Sequence, residues 1–207
     1  MLLQNRFITL LKNYTSEVVL IDNLWNEILK KYSEKHRAYH NLNHLEEIFV
    51  YFDIYKDKIN KPDIIGLSIF YHDIIYNIWK KDNEEKSADF AIEKLSGILK
   101  KEDLQEIHQQ IIATKTHEGN DKDTKYLLDF DLVILGQSER VYKTYTENIR
   151  QEYKLIPSFM YKKGRIKVLE HFINKSSIYK TDAFIDLYGK QAKTNLTNEL
   201  NSLKNGI

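Results

Sequence analysis

The sequence contains no cysteine, only two prolines and only seven glycines among its 207 residues. The lack of cysteine excludes disulfide bonds and thiolate ligands, so any metal ion must be bound by nitrogen and oxygen atoms. The scarcity of proline and glycine disfavours turn-rich β structure and favours long, uninterrupted helices.

An excess of one charge and a long apolar run are also missing. Lysine and arginine total 31 against 30 aspartates and glutamates, a net charge of +1, which gives no reason to expect a nucleic-acid polymer or an anionic membrane as partner. No stretch approaches the roughly 18 consecutive apolar residues of a membrane span, and the first residues lack a signal-peptide pattern. We therefore expect a cytoplasmic protein that binds no membrane.

Apolar residues recur at helical spacing along the chain, and no alternating strand pattern exceeds a few residues. This pattern predicts an all-α, single-domain helical bundle over residues 1–207. We expect a core at about residues 37–136, with the C-terminal helices at 138–205 packing on it. Asn43 is expected to cap a helix that carries His44 in its first turn, and Pro62 to begin a helix that runs through His72 and Asp73.

The most informative stretch is residues 69–76, an apolar run that carries the adjacent pair His72 and Asp73 in its middle. Burying two such groups unpaired would cost on the order of several kcal/mol, so something must compensate. A bound metal ion would do so, because imidazole and carboxylate are both good ligands, and so would a structural His-Asp hydrogen bond. Further ligands would come from distant parts of the chain, where the candidates are His40, His44, His108, His117 and Asp131.

The order of these residues resembles the signature of the HD-domain metal-dependent phosphohydrolase superfamily: a histidine, a His-Asp doublet 28 residues later and an aspartate another 58 residues on. The flanking segments are similar to a small bacterial branch of HD-type hydrolases. The similarity extends from about residue 30 to the end of the chain. It is carried by residues 39–46, 70–76, 82–88, 113–117, 129–136, 149–153, 164–165 and 178–179.

The resemblance implies an all-α fold of HD-domain type in which His44, His72, Asp73 and Asp131 bind the metal ion. His44 is preferred to His40 because it begins a helix, and His40 would then lie beside the ligands or face the substrate. Asp129 competes with Asp131, but a helix directs the two to different faces. The match favours Asp131 and leaves Asp129 facing solvent or next to a ligand. His108 is expected to be a partly buried histidine with a structural role.

The resemblance also implies hydrolysis of a small phosphorylated molecule, such as a nucleotide, by a metal-activated water that Asp73 would orient. Glu84 either stabilises the N-terminus of its helix through the interaction of its charge with the helix dipole, or it orients a catalytic water. His117 is a ligand of a second metal ion, a substrate-binding group or merely a helix-terminal histidine. The divalent ion itself stays open among manganese, iron, cobalt, nickel, zinc and magnesium. Four residues are candidate cations for binding the phosphate: Arg37, Lys115, Arg150 and Arg165. Each of them can equally be an ordinary surface residue or part of a salt bridge.

Three other functions fit the same residues. The chain can be a non-catalytic regulatory module that binds a metal ion or a nucleotide. It can be a helical interaction protein with a structural His-Asp pair, in which tyrosine-rich helices form the face of a homodimer. Lastly, some branches of the HD superfamily use paired irons and oxygen instead of hydrolysis, and His117 would then matter for the second iron.

Overall fold

The computed structural model describes residues 2–205, and within that range the chain is helical and contains no β-strand, which confirms the all-α prediction. None of these helices combines the length and apolarity needed to cross a bilayer. Two short 3-10 helices, Lys56–Lys58 and Val133–Gly136, join α-helices. The α-helices are α1 Leu3–Lys12, α2 Val18–Tyr32, α3 Leu42–Tyr55, α4 Pro62–Tyr71, α5 Asn83–Leu95, α6 Lys101–Thr116, α7 Lys122–Leu132, α8 Glu139–Glu152, α9 Ser158–Asn174 and α10 Asp182–Asn205.

Contacts group the chain into two compact units, the first ending at Leu128 and the second beginning at Asp129. The first unit contains α1 to α6 and most of α7, and the second contains the last turn of α7 and α8 to α10. The division falls inside α7, which is one continuous helix. A single domain over residues 1–207, with residues 138–205 packed on the core, stays a prediction.

Helix α4 is the centre of the first unit. Every residue from Ile64 to Tyr71 is buried, and the helix contacts α1, α3, α5 and α6. A helix that is apolar on all sides is stable only when other helices surround it. A Cβ atom at Gly66 would lie 2.8 Å from Cδ1 of Leu10, so glycine allows α1 to approach this closely. The Phe70 ring meets the Phe7 ring edge-on at 5.1 Å between centroids, which fills the same interface.

Both ends of α4 are fixed by side chains from distant segments. At its start, the Asp123 carboxylate accepts hydrogen bonds from the backbone N–H groups of Asn60 at 2.9 Å and Lys61 at 2.8 Å. At its end, the helix stops at Tyr71 with His72 as C-cap, so the predicted continuation through Asp73 is wrong. The carbonyls that follow bind a side chain, Arg37, instead of extending the helix.

The second unit is held together by buried polar groups. Arg165 forms a bidentate ion pair with Glu199, with Nε to Oε1 at 2.7 Å and Nη2 to Oε2 at 2.9 Å. The side-chain amide of Asn195 donates to the carbonyls of Leu135 at 2.9 Å and Gln137 at 2.8 Å. These bonds connect α10 to α9 and to the 3-10 helix that follows α7. They also satisfy the buried polar groups of Arg165 and Asn195 within the unit.

Candidate metal centre

The first candidate ligand, His44, is fixed by the start of α3. The helix begins at Leu42, and the side chain of Asn41 accepts a hydrogen bond from the Asn43 N–H at 2.8 Å. The N-cap is therefore Asn41, and the prediction that Asn43 caps the helix is wrong. Asn41 takes this role because its backbone is extended, as an N-cap requires. His44 lies in the first turn as expected and is 2% exposed.

The second candidate ligand, His72, is oriented by the last turn of α4. Its Nδ1 lies 2.9 Å from the carbonyl oxygen of Ile69. A carbonyl oxygen can only accept, so Nδ1 carries the proton and Nε2 offers its lone pair. A carbonyl that fixes the tautomer in this way is the usual support of a metal-binding histidine. His72 is 1% exposed, and its Nε2 faces that of His44 at 3.3 Å.

The carboxylate of Asp73 lies among three imidazoles. Its Oδ2 is 3.2 Å from Nε2 of His72, 3.9 Å from Nε2 of His44 and 3.9 Å from Nε2 of His40. Two ligand atoms bound tetrahedrally at the usual ion distances of about 2.0–2.2 Å are roughly 3.4 Å apart. The observed spacings are close to this value, so these nitrogen and oxygen atoms can share one ion.

Asp131, the last of the implied ligands, lies in the last turn of α7 and belongs to the second unit. The two histidines are buried, and Asp131 is partly exposed. The four ligands that the resemblance implies thus occur on three segments: the first turn of α3, the end of α4 and the last turn of α7.

The other candidate of that region, Asp129, has a structural role. It is fully buried, and its carboxylate accepts hydrogen bonds from the backbone N–H of Lys180 at 2.6 Å and from the N–H and hydroxyl of Thr181 at 2.8 and 2.7 Å. Of the two expected positions of Asp129, the solvent-facing one is wrong, because these donors just before α10 draw the carboxylate inward. A position next to a metal ligand stays a prediction. Burial raises the pKa of Asp129 to about 6, against the opposing effect of the hydrogen bonds from Thr181 and Lys180.

Glu84 is the acidic group of the first turn of α5 that interacts with the centre. It is partly buried, and burial is the main cause of its raised pKa. The negative charge of Asp73 raises the pKa of Glu84 further. The neighbouring Glu85 instead pairs with Lys115. Of these two glutamates, Glu84 is therefore the one that can serve the chemistry of Asp73.

Arg37 and Lys115, two of the predicted substrate-binding cations, are held by the protein itself. The Arg37 side chain is fully buried, and its bonds to backbone carbonyls include that of Asp73 at 2.7 Å. Lys115 pairs with Glu85 and donates to the carbonyl of Lys81 at 2.7 Å. Binding of substrate by either residue stays a prediction.

His40 and His117 differ in how they are placed. The His40 ring lies 4.4 Å from the Tyr76 ring and directs Nε2 towards Asp73, so it borders the ligands as expected. His117 is the C-cap of α6, with a left-handed backbone at φ 53° and ψ 44°. This conformation supports the helix-terminal interpretation, since histidine is one of the residue types that adopt it more readily. The roles of His117 as second-metal ligand or substrate-binding group stay predictions.

Arg150 and Arg165 belong to the second unit and have partners there. Arg150 donates to the carbonyl of Tyr153 at 2.6 Å and lies over the Tyr161 ring at 4.8 Å. Arg165 is buried in its ion pair with Glu199. These contacts give both arginines a role in packing α8, α9 and α10, and their binding of a phosphate stays a prediction.

Ser87 supports the centre and was not singled out from the sequence. Its hydroxyl accepts a hydrogen bond from the N–H of Ile75 at 3.1 Å and lies 3.3 Å from the carbonyl of the same residue. It thereby ties the non-helical segment after Asp73 to α5. The signal that could have found it is its place in residues 82–88, one of the segments that resemble the HD-type hydrolases.

Comparison of the chain with protein-family models, with curated proteins and with solved structures finds no match. The resemblance to the HD superfamily therefore remains a prediction from the residues quoted above. What the structure itself adds is an all-α protein in which ligand atoms of His44, His72 and Asp73 lie 3.2–3.9 Å apart.

Proposed function

We propose that the chain is a metal-dependent phosphohydrolase that acts on a small phosphorylated molecule, with nucleotides as the class to test first. The observation that supports it best is the spacing of His44, His72 and Asp73, whose ligand atoms lie 3.2–3.9 Å apart. Burying His44 this close to the adjacent pair His72 and Asp73 is costly unless a further group compensates. A shared cation offsets the cost of burying them.

The ion would be held by His44, His72, Asp73 and Asp131, with His40 beside them. These donors fit a divalent transition metal, because they are neutral imidazoles and carboxylates and the sequence contains no cysteine. When bound, the ion would supply Lewis-acid polarisation of a phosphoryl oxygen and activation of a water molecule. The choice between phosphomonoester, phosphodiester and phosphoanhydride is left to the substrate screen.

The residues of the chain would contribute positioning and proton transfer. Asp73 is 18% exposed in its side chain, so it can meet both the ion and a water molecule at the open edge of the centre. Glu84, with its raised pKa, would accept the proton that this water loses. His40 faces Asp73 from the other side and would contact the substrate or the leaving group.

The test begins with elemental analysis of the purified protein after incubation with Mn²⁺, Ni²⁺ or Zn²⁺. The variant carries both His72→Ala and Asp73→Ala, and the matched control is His108→Ala, because His108 is a half-exposed histidine on α6 paired with Asp89. We expect close to one ion per chain in wild type and control, and a loss of that ion in the double variant.

Turnover separates the enzyme from a binding module. The metal-loaded protein is then assayed on p-nitrophenyl phosphate, its bis ester and a panel of nucleotides, with phosphate release as readout. Hydrolysis that disappears in the double variant supports the proposal. Stoichiometric metal without hydrolysis of any substrate favours the regulatory module, and no metal in wild type overturns both in favour of a structural His-Asp pair.

A further inference from the structure

Arg37 makes four hydrogen bonds in the segments that carry His40 and Asp73. Its Nε donates to the Glu34 carboxylate at 3.1 Å, and its Nη1 donates to the carbonyl oxygens of His40 at 3.1 Å and Asp73 at 2.7 Å. Its Nη2 donates to the carbonyl of Ile74 at 3.0 Å. One guanidinium thus joins the turn that carries His40 to the segment that carries Asp73.

Burying the charged guanidinium of Arg37 costs desolvation free energy, which its contacts must offset. The Arg37 side chain has no exposed surface, while that of its one acidic partner, Glu34, is 36% exposed. Its other partners are neutral carbonyls, which compensate a charge less than a carboxylate does. The rings of Tyr32 and Tyr76 lie 5.0 and 5.4 Å from its Cζ and add cation–π attraction.

The reason for burying Arg37 lies in the end of α4. The helix stops at Tyr71, and the last carbonyls of a helix and those just beyond it lack helical N–H partners. Arg37 supplies donors to the carbonyls of Asp73 and Ile74, and its planar fork reaches both while also reaching His40. The backbone that directs the Asp73 carboxylate towards the imidazoles is therefore held by Arg37.

We infer that Arg37 is a positioning residue that sets the ligand geometry of the metal centre, and that it does not act as a phosphate-binding cation. Because the guanidinium of Arg37 binds the carbonyls of both His40 and Asp73, it fixes the distance between the side chains of these two residues. Their Nε2 and Oδ2 atoms are 3.9 Å apart. This inference rests on the proposed function, because it assumes that the centre binds a metal ion.

The test titrates Co²⁺ into metal-free wild type, Arg37→Lys and Arg37→Met, and records the visible absorption bands of the bound ion. These bands respond to the number and geometry of ligands, which loss of stability alone does not change. The matched control is Arg6→Met. Arg6 is also nearly buried in the first unit, pairs with Asp53 at 2.8 Å and lies over the Phe49 ring at 4.5 Å, in a network separate from the centre.

We expect Arg37→Met to weaken Co²⁺ binding by about tenfold to a hundredfold and to change the spectrum, as loss of a ligand-supporting group does. Arg37→Lys should fall between it and wild type, because an ammonium cannot reach all three carbonyls. Arg6→Met should lower the melting temperature of the metal-free protein while leaving the Co²⁺ affinity and spectrum unchanged.

A wild-type spectrum and affinity in Arg37→Met would overturn the inference and leave the proposed function intact. If Arg37→Met does not fold, Arg37→Lys decides, and wild-type Co²⁺ affinity and spectrum in that variant would overturn the inference equally. Failure of wild type itself to bind Co²⁺ would overturn the metal centre and, with it, the role of Arg37.

Discussion

At the scale of single residues, the carboxylates near the centre differ in what they can do. Asp73 faces the imidazoles, Asp129 is occupied by donors just before α10, and the pKa of Glu84 is raised by burial and, to a lesser degree, by the charge of Asp73. A raised pKa brings a carboxylate closer to neutral pH, which suits a group that takes a proton from a water molecule. Glu84 is therefore the residue whose removal should separate metal binding from turnover.

We predict that Glu84→Gln lowers kcat on the best substrate of the screen by ~10²-fold or more, the usual contribution of a general base. Glutamine keeps the size and removes the proton-accepting charge, so the metal content measured by elemental analysis should stay at the wild-type level. Glu85→Gln is the matched control, because Glu85 is adjacent in the same helical turn and pairs with Lys115. Equal kcat values for the two variants would assign Glu84 to the helix N-terminus alone.

His117 allows a second test at this scale, because its backbone is left-handed. A side chain in this conformation costs about 1–2 kcal/mol, whereas glycine loses about 0.5–1 kcal/mol of chain entropy. His117→Gly should thus leave the free energy of unfolding unchanged or raise it by up to about 1 kcal/mol. His108→Gly, inside the same helix, should lower it by about 1 kcal/mol.

Metal titration of the same two variants distinguishes the roles of His117. If His117 only ends α6, His117→Gly binds the metal with wild-type affinity and stoichiometry. A loss of one of two bound ions would instead identify His117 as a ligand of a second metal ion.

At the scale of elements, residues beyond the helices decide where the helices end. The sequence predicted α3 and α4 correctly in type, because the buried positions of α3 follow helical spacing and Pro62 is a typical first residue of a helix such as α4. It could not show that α4 stops at Tyr71, since apolar residues resume directly after His72 and Asp73 and continue to Tyr76. The stop depends on Arg37, which is distant in sequence, and no local pattern carries that contact.

The same limit applies to the candidate site. The ordered histidines and aspartates identified His44 and His72 as candidate partners, and the structure brings them to 3.3 Å. The order of residues could not show that Asp129 is buried, and it could not separate a supporting arginine from a substrate-binding one. Such differences depend on which donors surround each side chain, and therefore on tertiary packing.

An element-scale prediction concerns the start of α4. The Asp123 carboxylate accepts both N–H groups that precede the helix, and it is 3% exposed. Asp123→Ala removes the charged acceptor of two part-buried backbone hydrogen bonds and should lower the free energy of unfolding by about 2–3 kcal/mol, measured by urea denaturation. The control Asp57→Ala removes an exposed carboxylate of the 3-10 helix and should change it by less than about 0.5 kcal/mol. An equal change in the free energy of unfolding for both variants would show that the hydrogen bonds of Asp123 contribute little to stability.

At the scale of the whole molecule, metal binding and folding should be linked. An ion that binds only the folded state stabilises it by mass action, by about 2.7 kcal/mol when free metal is a hundredfold above Kd. Both tryptophans of the sequence, Trp25 and Trp79, lie in the first unit, so their fluorescence follows the unfolding of the unit that holds His44, His72 and Asp73.

We therefore predict that removal of the metal with a chelator lowers the thermal midpoint followed by tryptophan fluorescence, and that added Mn²⁺ or Zn²⁺ restores it. The double variant His72→Ala, Asp73→Ala should show no response to either treatment, because its ligand set is incomplete. A midpoint that stays constant while elemental analysis confirms loss of the ion would mean that the ion binds folded and unfolded chains equally. The centre would then not be the buried group of His44 and His72, since that group exists only when α3 and the end of α4 are brought together by folding.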